Sequence, residues 1–87
     1  MHLLISNLNR FTTTPQVVSL FVPFGMVTSA RLFPKVQNGI SAGTAVVEME
    51  FAAGNSAIKA LNNLRFMNYF INVEETFSAI SSFVNRR

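Results

Sequence analysis

Hydrophobic and polar positions alternate most cleanly over residues 44–51. Ala45, Val47, Met49 and Phe51 fall on one side of an extended chain, and Thr44, Val46, Glu48 and Glu50 on the other. One side is wholly apolar and the other mixed, which predicts a strand in a sheet with one covered and one open face. Residues 2–7 form a short apolar run closed by turn formers and predict a strand as well. So do residues 27–33, which Pro34 stops. Residues 69–74 complete the set, with Ile71 and Val73 alternating against Phe70 and Asn72. Residues 35–43 read as a loop, because Asn38-Gly39 is a strong turn signal.

Helical spacing fills two of the gaps. Thr12, Thr13 and Thr14 precede Pro15; a threonine hydroxyl caps a helix well, and proline at the first helical position gives up no needed donor. Val17, Leu20, Phe21 and Phe24 follow at the spacing of a buried face. Pro23 disfavours helical geometry at Val22, and Gly25 supplies the ending turn. Gly54, Asn55 and Ser56 open a second helix whose apolar stripe is Ala57, Ala60, Leu61 and Leu64, with Asn62 and Asn63 where it frays. In the tail, Phe77, Ile80, Phe83 and Val84 stand at helical spacing, so residues 76–87 predict a C-terminal segment with a short helix of its own. The order strand, helix, strand, strand, helix, strand predicts one α+β domain over residues 1–75. It is a ferredoxin-like βαββαβ sandwich, a four-stranded antiparallel sheet with both helices on one face.

Composition narrows the chemistry. Eighty-seven residues leave room for one modest core, and 49% apolar against 13% charged residues is a globular balance. The absence of cysteine excludes a disulfide framework, a thiolate metal site and a cysteine nucleophile together. No basic stretch leads into a long apolar run, and no apolar run nears the ~18 residues of a membrane span, so a soluble cytoplasmic protein is the expectation. Seven basic residues against four acidic ones give a net charge of +3. Arg10, Arg31, Lys35, Lys59, Arg65, Arg86 and Arg87 are scattered, which permits a polyanionic partner without demanding one.

Catalysis is poorly provisioned. Aspartate is absent, His2 is the sole histidine, and Glu48 and Glu50 share a strand face where solvated pairs far outnumber acid–base dyads. There is no nucleophile–base pair, metal cluster or phosphate-cradling glycine loop. A binding protein without cofactor or metal is expected, not an enzyme.

Specific residues carry a resemblance. Leu3-Leu4-Ile5-Ser6-Asn7-Leu8 resembles the first-strand signature of the RNA recognition motif, which runs aliphatic, aromatic, aliphatic, any, Asn, Leu. Leu20-Phe21-Val22-Pro23-Phe24-Gly25-Met26-Val27 is similar to that family's first helix leading through Phe-Gly into the second strand, and is the more specific match. Residues 42–49 (AGTAVVEM) are similar to the third-strand signature at Gly43, Ala45 and Val47. Ala57 and Ala60, six and nine residues after Phe51, fit the second helix. The resemblance spans residues 1–75 and implies single-stranded RNA as the partner, held on the open sheet face.

The departures fall where function lives. In that family two or three aromatics on the open face stack bases, and a basic residue opening the third-strand signature meets phosphate. Leu4, Thr44, Val46 and Ala42 occupy those positions here. Stacking is worth ~1–3 kcal/mol per base, so the missing rings weaken RNA binding substantially. Glu48, Glu50 and Glu74, expected on the same face, would repel phosphate. If Val27, Ala30 and Leu32 point inward, Arg31 and Phe33 point outward, and Phe33 and Phe70 become displaced stacking platforms. The expected RNA-contacting residues are Leu4, Ser6, Arg31, Phe33, Thr44, Val46 and Asn72 on the sheet, with Arg10 and Lys35 from loops. The alternative is a protein-interaction module. Leu4, Val46, Phe33 and Phe70 form apolar surface that wants a cover, which another protein, a second copy in a homodimer, or the tail itself would provide.

Overall fold

The computed structural model describes residues 1–33 and 43–77. Its elements are β1 (His2–Ser6), α1 (Thr14–Phe21), β2 (Val27–Phe33), β3 (Thr44–Met49), α2 (Phe51–Leu61), β4 (Arg65–Phe66), β5 (Tyr69–Phe70) and β6 (Asn72–Thr76). Four strands form one antiparallel sheet in the order β2-β3-β1-β6, while β4 and β5 pair separately as a small hairpin. The predicted βαββαβ sandwich is the architecture observed.

Local chemistry explains the boundaries. Thr13 caps α1 through a reciprocal pair: its hydroxyl accepts from the Gln16 N–H at 3.4 Å, and the Gln16 side-chain oxygen accepts from the Thr13 N–H at 2.9 Å. Pro15 thus sits one place further into the helix than expected. After Phe21 the chain tightens into a 3-10 turn over Val22–Phe24 and leaves at Gly25. In β2 the pairing with β3 is irregular between Val27 and Ser29, a one-residue shift that re-aims the strand. It is the reason Val27 and Ala30, three apart, both lean on the core.

β3 is shorter than its alternation implies. It ends at Met49, and Glu50 becomes the N-cap of α2, its carboxylate accepting from the Ala53 N–H at 3.4 Å. That side chain satisfies a donor with no partner inside the helix, which favours starting the helix there. Glu50 is therefore not on the open face, and Phe51 opens α2 with its ring exposed instead of extending the apolar side of the strand. The helix begins before Gly54-Asn55-Ser56. At its far end the Asn62 side-chain oxygen accepts from the Val73 N–H at 2.9 Å, fastening the helix end to β6.

The single strand expected over residues 69–74 is divided. Ile71 leaves the ladder: its N–H donates to the Leu64 carbonyl at 3.0 Å, and its own carbonyl accepts from the Asn63 N–H at 2.7 Å. Before it, Met67 and Asn68 have φ of 50° and 74°, the left-handed pair of a tight hairpin turn between β4 and β5. β6 then runs one residue past the expected domain edge. The expected helix beyond it lies outside the described residues.

The core is the helix side of the sheet. Leu3, Ile5, Ala45, Val47, Met49 and Val73 meet Val17 and Phe21 of α1 and Ala57 and Leu61 of α2, with Ile71 closing the end; all are buried. Among the described residues no helix is long and apolar enough to cross a membrane.

Candidate functional site

The opposite face of the sheet is organised by register into three rows. His2 of β1 stands between Glu48 and Thr76, with Ser29 beyond Glu48. Leu4 stands between Val46 and Glu74, with Arg31 beyond Val46. In the last row Ser6 pairs with Asn72, and Phe33 with Thr44. Seven of the expected contact residues thus share one face, because odd and even strand positions project to opposite sides.

They are unequally accessible. Arg31 and Asn72 are exposed, Leu4 and Ser6 half-buried. Thr44, Val46 and Phe33 are buried, with Phe33 only 9% exposed. Phe33 points outward as the register requires, but its ring is not the exposed stacking platform the sequence suggested; aromatic surface buries readily wherever neighbours allow. Lys35 and the tail residues Ile80, Phe83, Arg86 and Arg87 lie outside the described residues.

The first row and part of the second enclose a pocket of about 300 Å³, lined by His2, Ser29, Ala30, Arg31, Val46 and Glu48. This lies at the small end of ligand sites. His2 Nε2 lies 3.9 Å from Glu48 Oε2. The Arg31 guanidinium offers donors suited to phosphate, and the Glu48 carboxylate accepts from amino and imino groups. Among the described residues the face sets Arg31 against two carboxylates, Glu48 and Glu74. No group of three metal-ligating side chains gathers among the described residues.

Sequence reasoning anticipated Arg10 and Phe70 as contacts but missed Phe11 and Arg65, which join them at the rim of this face. Phe11, in the loop after β1, is 73% exposed, and the Arg10 guanidinium lies 5.3 Å from its ring centroid. Phe70 is 62% exposed and pairs across the hairpin with Arg65. Loop and hairpin are stitched together: the Asn7 side-chain amide donates to the Phe70 carbonyl at 2.9 Å, and that of Asn9 to the Met67 carbonyl at 3.1 Å. The available signal was Arg10-Phe11, a cation beside a ring in a turn-rich stretch. Only the hairpin, unforeseen, brings Arg65 to Phe70.

Comparison with known proteins places this geometry. The family model described as the RNA recognition motif matches residues 3–72. The crystal structure of an RNA-binding protein, PG1, is similar at 30% identity, covering 90% of this chain and 95% of that one with a TM-score of 0.79. The NMR structure of the third such domain of Gbp2 is 31% identical over 84% of this chain and 72% of that one, with a TM-score of 0.73. The corresponding domain of Puf1 from S. pombe, 24% identical with a TM-score of 0.74 over 88% of this chain and 97% of that one, shares the fold. No curated protein sequence matches. The family match over most of the chain, on a sheet of this order backed by α1 and α2, shows that the chain belongs to the RNA recognition motif family.

Proposed function

We propose that the chain binds single-stranded RNA through the open sheet face and flanking cations, and does so more weakly than family members that carry the stacking rings. The observation that carries this reading is the pairing of exposed Arg31 and exposed Asn72 at opposite edges of that face, with half-buried Leu4 and Ser6 between them. Arg31 suits a phosphate and Asn72 a base edge, while Leu4 contributes an apolar contact without a ring. The likeness to the RNA-binding protein PG1 supports an RNA partner. Binding, not catalysis, is the role these groups serve.

A protein partner on the same face is the less supported reading. Val46 and Phe33, two of the four apolar residues that would make the face adhesive, are already buried. Half-buried Leu4 and, at the rim, exposed Phe70 are what the four leave for a second protein or a second copy to cover.

The test is a proton–nitrogen NMR titration of the labelled chain with a short RNA of randomised sequence at low salt. Shifts at Leu4, Ser6, Arg31 and Asn72, with affinity falling steeply as salt is added, are expected. Absence of shifts up to millimolar RNA overturns the reading.

A further inference from the structure

We propose that the loop after β1 and the β4–β5 hairpin form a second element of the nucleic-acid site. In it Phe11 and Phe70 stack bases of a single strand, and Arg10 and Arg65 meet its phosphates. The inference rests on the RNA reading above and extends it from the sheet to its rim.

Two exposed rings alone would say little, since isolated apolar side chains are ordinary on protein surfaces. Here each ring has an arginine for a neighbour. The Arg10 guanidinium stands over the Phe11 ring, and that of Arg65, across the hairpin from Phe70, donates to the Asn68 side-chain oxygen at 3.4 Å. Arg10 lies 5.3 Å from the Phe11 centroid, and Arg65 is the direct cross-strand partner of Phe70, on the same side of the hairpin. A ring beside a fixed cation presents both groups that a single strand needs, a π-face for the base and a charge for the backbone.

The platform is also held in place. Asn7 and Asn9 tie the loop to Phe70 and Met67, and the Phe11 N–H donates to the Asn9 side-chain oxygen at 2.8 Å. Asn7 adopts φ 63° and Met67 and Asn68 are left-handed too, so loop and hairpin turn sharply toward each other. Less ordering remains to be done on binding when the groups are already positioned.

The rim continues the sheet. Ile71 is fully buried and points into the core, leaving its neighbours Phe70 and Asn72 on the outer side, and Asn72 pairs with Ser6 in the last row. A strand of RNA crossing that row reaches Asn72 and then Phe70 without a break. The rings absent from Leu4, Thr44 and Val46 are compensated at the edge.

The experiment measures fluorescence anisotropy of a labelled short RNA of randomised sequence at low salt, with wild type, F11A and F70A. Both side chains are mostly exposed, so alanine leaves the core untouched. Each variant is expected to weaken binding about five- to 150-fold, the equivalent of one lost stack. Since the chain has no tryptophan, F11W and F70W each report alone, and RNA is expected to quench them. R10Q and R65Q should each lower the salt slope by about one. If wild type binds RNA while F11A and F70A retain its affinity and neither tryptophan responds, the platform is overturned and the sheet reading stands. If wild type itself binds no RNA, both readings fall.

Discussion

Gly25 and Ala53 approach so closely that a Cβ on Gly25 would stand 2.7 Å from the Ala53 Cβ. The turn after α1 is thereby wedged against α2, and Gly25 also holds a φ of 157°. Gly25→Ala should destabilise the domain by about 1–3 kcal/mol through overpacking. A thermal melt should show a loss of roughly 4–8 °C per kcal/mol for a domain of this size. Ala53→Gly added to it should restore part of the loss, since the two positions touch and their effects do not add.

Glu48 and Glu50 stand two apart in sequence and do different work. Glu48 lines the pocket on the open face, whereas Glu50 caps α2. Glu48→Gln should tighten RNA binding by removing a charge that repels phosphate, with little change in stability. Glu50→Ala should cost about 1 kcal/mol in a urea titration and leave RNA affinity as it was. Equal effects of the two on RNA would contradict this division.

Leu4 occupies the position where the family carries a first-strand ring, in the centre of the middle row. Leu4→Phe should strengthen RNA binding about five- to 150-fold, the worth of one stacked base. The same titration checks it. No gain would mean that the strand of RNA passes elsewhere than over β1.

Asn7 combines a left-handed backbone with a hydrogen bond to Phe70. Asn7→Gly keeps the backbone at ease and loses the bond, for about 1 kcal/mol. Asn7→Ala loses both and should cost about 2 kcal/mol. Amide exchange of the hairpin should quicken in each variant, and F70A should leave exchange unchanged because only the Phe70 carbonyl is held.

The sheet was legible because one residue type per position decided it. The bounds of β2 follow from apolar spacing and Pro34, whereas its bulge, which lets Val27 and Ala30 share a side, was not foreseen. Elements that depend on a single unusual partner were not legible. A glutamate is a rarer cap than Ser, Thr, Asp or Asn, so the start of α2 at Glu50 was hidden behind an unbroken strand alternation. The hairpin was hidden by Ile71, which keeps the alternation of a strand while its backbone bonds go to Leu64 and Asn63. For the site, register placed seven residues on one face, but pattern alone does not tell that Val46 and Phe33 are covered. The rim depends on hydrogen bonds joining positions about sixty residues apart, Asn7 to Phe70 and Asn9 to Met67, a separation no local spacing encodes.

β6 borders the sheet, and across its ladder Glu75 faces Leu3, a fully buried residue. A carboxylate therefore projects from the helix side of an outermost strand, next to exposed Glu74 on the other side. Any extended chain adding itself along this border would have to lay its side chains against charge above and below. Among the described residues β6 pairs with β1 alone, and a Glu74→Thr, Glu75→Val variant, with both charges removed, is expected to join border to border with a second copy, which size-exclusion chromatography would show as a dimer.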